Sequence, residues 1–191
     1  MSSTWINQAK KLIYKDPKGF LIRLREFESY LAISNTPVNI KTLRTNKLKQ
    51  WRELREAAIF CYGMNVKLNK TIHCATSESQ DYDFVAKIVE GTKYTLCPVQ
   101  LKEVVPTDIN PSATIEKVIN NLDKYVDSQN LTVAIHLNQV GSFDFDSLII
   151  PKLNIASLWV FGSISSDQSK WGIWGDFITP PVIGTSFDYP Q

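Results

Sequence analysis

Apolar positions along this chain change their period several times, and each change predicts an element. Over residues 1–45 the period is helical. Trp5, Ala9, Leu12 and Ile13 recur at helical spacing, and so do Phe20, Leu21, Leu24, Phe27 and Leu31, behind an Asp16-Pro17 pair that reads as N-cap and first helical position. Asn35-Thr36-Pro37 breaks that pattern. A second helix is predicted from about Asn46 to Tyr62, closed by Gly63, with Leu48, Trp51, Leu54, Ala58 and Cys61 as its apolar stripe. At 100° per residue Glu53 falls on the flank of that stripe and Glu56 nearly opposite it.

From Met64 the period becomes two. Val66, Leu68 and Ile72 alternate with polar residues and predict a strand over Met64–Ala75. Tyr82–Val89 and Tyr94–Val104 follow as two apolar runs around Glu90-Gly91-Thr92-Lys93, the length and composition of a hairpin loop. Asn110-Pro111 then reads as the start of a helix running to about Asp127, with Ile115, Val118, Ile119, Leu122, Tyr125 and Val126 as its stripe. Leu131, Val133, Ile135 and Leu137 alternate again. A strand, a helix and a strand in succession predict a crossover and a parallel pair. Ser157–Ile164 is a further buried strand joined through Asp144–Asn154, and residues 165–191 read as an irregular or hairpin tail rich in aromatics. Within that tail Trp171 and Trp174 either stack on bases or pack over the sheet.

Composition narrows the class without naming a task. The chain has 191 residues, 43% of them hydrophobic and 21% charged, which is close to the globular average and suits one domain with extensions. A formal net charge of +2 does not by itself announce a nucleic-acid partner. Local clustering does more: Lys41, Arg44, Lys47, Lys49, Arg52 and Arg55 stand against Glu53 alone, either as a solvated helix face or as a phosphate-facing patch. Three cysteines without CxxC spacing argue against structural zinc and predict Cys61 and Cys97 as core thiols. His136, inside a strand, reads as a hydrogen-bonded core histidine. No run approaches the roughly 20 apolar residues that span a bilayer, so the expected setting is cytoplasmic, with no membrane partner.

The polar positions of the hairpin carry the candidate chemistry. Side chains alternate across a strand, so Asp81, Asp83 and Val85 share one face of its first strand and Gln100, Lys102 and Val104 one face of its second. An acid, then one hairpin later an acid or amide, any residue, and lysine resembles the PD-(D/E)XK nuclease superfamily. The half-motifs here are Asp81-Tyr82-Asp83-Phe84-Val85 and Gln100-Leu101-Lys102, a Gln-x-Lys variant with no proline before the aspartate. The predicted order of helix, three strands, helix and strand is also that of the restriction-endonuclease-like core. The resemblance implies an α/β fold with an αβββαβ core and mixed central sheet over residues 46–164, a helical N-terminal extension and a packed C-terminal tail.

It further implies a metal-dependent nuclease, acting on DNA ahead of RNA, or a catalytically inactive relative that serves as a binding or interaction module. Asp83, with Asp81 as the alternative, would anchor Mg²⁺ or Mn²⁺. The Leu101 carbonyl and the Gln100 amide oxygen would complete the metal ligands. Lys102 would act at the attacking water or the phosphate, and Glu53 is the helix acid placed to join them, unless it pairs with Lys49 or Lys47. Lys47, Lys49 and Arg52 would contact nucleic acid, and a second copy of the chain is an admissible partner. Without the resemblance, Asp81 and Asp83 are solvated strand-edge acids and Lys102 a charge that protects the edge.

Overall fold

The computed structural model describes residues 4–41, 48–77, 79, 81–126 and 128–191. Arg44 and Lys47 lie outside the described residues. The N-terminal layer is α1 (Thr4–Ala9), α2 (Pro17–Ala32) and α3 (Val38–Lys41). Asp16 caps α2 through bonds from the Lys18 and Gly19 N–H groups, and Pro17 opens it. Only its first half is buried: Phe20 and Leu21 are core residues, whereas Phe27, Tyr30 and Ile33 are exposed.

The next helix, α4 (Lys49–Leu68), runs six residues beyond Tyr62, where the sequence predicts its end. Gly63 does not stop it. A Cβ there would stand 2.6 Å from the Phe187 ring, so the missing side chain is a packing requirement inside the helix. The stop is Asn69, in the left-handed conformation at φ 50° and ψ 46°, with its N–H bonded to the Asn65 carbonyl. Residues 64–68 are therefore helical, and the strand predicted over Met64–Ala75 shrinks to β1 (Thr71–Thr76). The alternation of Val66 and Leu68 misled because both are exposed apolar residues near the end of the helix.

The hairpin forms as the sequence predicts, as β2 (Phe84–Glu90) and β3 (Lys93–Val104) in antiparallel register, Phe84 opposite Val99. The crossover helix is shorter than its stripe predicts. It is α5 (Ile115–Asn120), capped by Thr114 through a bond from the Lys117 N–H, while Asn110 spends its side chain on a local turn with Ser112. Leu122 is still buried, on successive tight turns after the helix. The strand β4 (Ser128–Leu137) then pairs parallel to β3, with Gln100 beside Val133 and Glu103 beside His136.

Three strands complete the sheet: β5 (Ile155–Ser163), parallel to β4, then β6 (Lys170–Gly175) and β7 (Ile183–Asp188), each antiparallel to its predecessor. The sheet order is β1-β2-β3-β4-β5-β6-β7, the order of the chain. Of the two forms predicted for residues 165–191, the irregular one is corrected. The hairpin forms, and it lengthens the sheet instead of packing across it. Trp171 is a core residue, 1% exposed, because its strand faces α4.

Two cores result, one on each face. The first joins α4, Phe20 and Leu21 of α2, and the Phe84, Val99, Leu101 and Phe161 side of the sheet. The second joins α5 and Ala9 of α1 to Val85, Val104, Val133, Ile135 and Val160. Cys61 and Cys74 are free and buried in the first core, and burial pushes the Cys61 thiol well above its ordinary range. Among the described residues no helix is long and apolar enough to cross a membrane.

Candidate functional site

The hairpin strands stay paired only as far as Phe84 and Val99, where the Asp83 N–H still donates to the Val99 carbonyl at 2.9 Å. Beyond that point β3 continues for five residues bonded to β4 on one side. Its other edge, among the described residues, has no strand along it. Backbone groups at such an edge need partners. Asp83 supplies one: its Oδ2 accepts the Leu101 N–H at 2.7 Å and also the Gln100 Nε2. The same amide nitrogen donates to the Leu101 carbonyl at 3.3 Å.

A cleft of about 290 Å³ opens along this edge. Asp83, just before β2, and Gln100, Leu101, Lys102 and Glu103 of β3 line it, facing Lys49, Arg52, Glu53 and Glu56 of α4. The matched strand parity read from the sequence thus brings Asp83, Gln100 and Lys102 into one cleft. Asp81 is not among its lining residues. It is exposed, with its N–H bonded to the Ser79 hydroxyl. Glu53 both lines the cleft and pairs with Lys49 at 3.4 Å, so its two predicted roles coincide.

Burial sets the electrostatics. Withdrawal from water pushes the Asp83 carboxyl above the ordinary aspartate value of 3.8, and the Glu53 carboxylate pushes it further. The Leu101 N–H and the Lys102 and Lys49 ammonium groups oppose that rise. Burial likewise lowers Lys102, with Asp83 opposing. Each partner is driven toward its neutral form, so desolvation outweighs their mutual attraction. Lys102 Nζ also lies 5.7 Å from the centre of the Tyr125 ring, beyond α5.

The basic cluster divides. Lys49 and Arg52 face the cleft. Lys41 instead binds the Ala32 and Ser34 carbonyls at the end of α2, and Arg55 bridges Glu28 at 3.0 Å and the Gln168 side chain at 2.7 Å. These two serve the packing of α2 and the β5–β6 turn.

A second group of titratable side chains lies across β3 from Gln100 and Lys102. Glu103 projects to the α4 face, beside His136 in register, and Glu56 reaches them from α4. Glu56 corrects the sequence reading: predicted to point away from the core, it is 5% exposed. The helical stripe assumed one apolar face, but the middle of α4 is enclosed by the sheet on one side and α2 on the other, so almost every position from Leu54 to Cys61 is buried. Glu56 Oε1 lies 3.4 Å from His136 Nδ1, and Glu103 accepts from the Asn138 amide at 2.7 Å. The imidazole is held by Phe161, stacked at 5.0 Å, and Trp171 at 5.7 Å. His136 is hydrogen-bonded and buried, as its sequence position predicts.

Ligand atoms of Glu56, Glu103 and His136 all lie within 4.8 Å of one another, a grouping that could hold a metal ion. Glu103 and Glu56 are the site residues that the sequence reading passed over. Parity alone would have placed Glu103 opposite Lys102. Bringing it to His136 requires the β3–β4 register, which no local pattern reveals.

No family model, curated protein or solved structure significantly matches the chain.

Proposed function

We propose that this protein is a metal-dependent nuclease of restriction-endonuclease-like type that hydrolyses phosphodiester bonds, with DNA ahead of RNA as substrate. The observation that carries this reading is the shared cleft of Asp83, Gln100, Leu101 and Lys102 with Glu53 in its wall. Oxygen donors of this kind suit Mg²⁺ or Mn²⁺. The Asp83 carboxylate and Leu101 carbonyl would hold the ion, joined by Gln100 Oε1 after a half-turn of its amide. Glu53 adds negative charge from the helix side. A bound dication supplies an activated water and polarises a phosphoryl oxygen. Lys102, partly desolvated and aimed into the same cleft, stabilises the charge that develops on phosphate or orients the water. Lys49 and Arg52 contact the flanking phosphates.

One observation favours a second reading, a binding or interaction module of the same architecture without catalysis. Gln100 Nε2 donates to both the Asp83 carboxylate and the Leu101 carbonyl, the two acceptors that a cation would otherwise bridge. The experiment is plasmid nicking with Mg²⁺ or Mn²⁺, alongside melting with and without metal. Active wild type should lose cleavage and metal-dependent stabilisation in Asp83→Asn, keep the stabilisation but lose cleavage in Lys102→Ala, and gain metal affinity in Gln100→Glu. Wild type that neither nicks DNA nor shows a metal-dependent melting shift abolished by Asp83→Asn selects the binding module.

A further inference from the structure

We propose that Glu56, Glu103 and His136 bind a first-row transition dication such as Zn²⁺, at the α4 side of the cleft and across β3 from Gln100 and Lys102. Two carboxylates and one imidazole form a mixed oxygen and nitrogen set, which prefers such ions to Mg²⁺. The ligand set shares no residue with Asp83, Gln100, Leu101 and Lys102, and Glu103 projects from the opposite face of β3.

Three features of the arrangement point to a metal rather than to a simple buried ion pair. First, Glu56 is 5% exposed, and the hydrogen-bond partner of its Oε1 is His136 Nδ1 at 3.4 Å. A charge-assisted hydrogen bond closes to about 2.7–2.9 Å. Two ligands at about 2.0–2.1 Å on one tetrahedral ion stand about 3.3 Å apart, close to the Glu56–His136 separation, and the whole set lies within 4.8 Å. Second, the imidazole is already oriented. Phe161 and Trp171 flank it, and its strand is paired on both sides, so the ring has little freedom to lose on binding. Third, the site has an entrance, since Glu56 and Glu103 both line the 290 Å³ cleft. Three protein ligands leave a coordination position open toward it.

The site stands or falls separately from the nuclease reading. Metal-stripped protein is titrated with Zn²⁺ and with Co²⁺ as a spectroscopic substitute, for wild type, Glu56→Gln, Glu103→Gln, His136→Gln and Asp83→Asn. Wild type and Asp83→Asn should each take up one equivalent. With ligand at about a hundredfold excess over Kd, each should melt about 5–10 °C higher. Co²⁺ should give weak d–d bands without the intense thiolate charge-transfer band of a cysteine site. Affinity should fall at least tenfold in Glu56→Gln and His136→Gln. Glu103→Gln, at a half-buried position, carries the test should either core variant fail to fold. Absence of uptake by wild type, a thiolate band, uptake that survives removal of Glu56 or Glu103, or uptake lost in Asp83→Asn overturns the proposal.

Discussion

Just before β2 begins, the single Asp83 carboxylate gathers the Leu101 N–H and the Gln100 amide. Its raised pKa has a defined linkage. The folded protein binds that proton more tightly than the unfolded chain, so Asp83 contributes stability that is present at low pH. That contribution is lost as pH climbs from the ordinary 3.8 through the raised value. Asp83→Asn removes the dependence. In metal-free buffer the Tm difference, variant minus wild type, should therefore become more positive between about pH 4 and pH 7. A difference that stays flat or falls would contradict the desolvation described. The same raised pKa makes protons compete with cations at milder acidity than at an ordinary aspartate. Asp83, Gln100 and Lys102 were legible in the sequence because alternation within a strand and pairing across a short hairpin are local. The trio of Glu56, Glu103 and His136 was not, because it depends on the rotation of α4 and on a parallel register fixed only after a crossover.

Among the elements, α4 does the most to position the cleft, and its middle leaves little room. Gly63→Ala should gain about 1 kcal/mol of helix propensity. Overpacking against Phe187, 2.6 Å from the new Cβ, costs about 1–3 kcal/mol. A Tm lower by a few degrees is expected, and Phe187→Leu in the same chain should restore part of it. The first turn of α4 carries Lys49 and Arg52 to the cleft. If they meet phosphates, changing both to Gln should weaken DNA binding and flatten the slope of log K against log salt by about 2. Changing Lys41, tied to α2, should leave the slope where it is. The hairpin and the capped start of α2 were legible because turn and cap chemistry is local. The far end of α4 was not. Gly63 has the composition of a stop, and only the distant Phe187 turns it into a spacer.

The whole molecule is a single sheet laid down in chain order, with α4 and α2 on one face and α5, α1 and the segment from Phe143 to Leu153 on the other. Residues 165–191 belong to that core: Trp171, Ile173, Phe187 and Tyr189 close the α4 side, and Arg25 lies 4.2 Å from the Tyr189 ring centre. A chain ending at residue 164 should therefore lose cooperative melting and precipitate. A truncated protein that melts like the full chain would show that β6 and β7 are accessory. The closure also ties the sheet's last strand back to α2, since the Tyr189 hydroxyl donates to the Leu21 carbonyl 168 residues away. During synthesis each new strand finds its partner strand already made, so the sheet can grow as the chain leaves the ribosome. Helix α2 is secured in two stages. Its Phe20 and Leu21 can pack on α4 once that helix forms, but the Leu21 carbonyl gains the Tyr189 hydroxyl only when β7 is in place. The buried start of α2 is thus sealed only after β7 has been made.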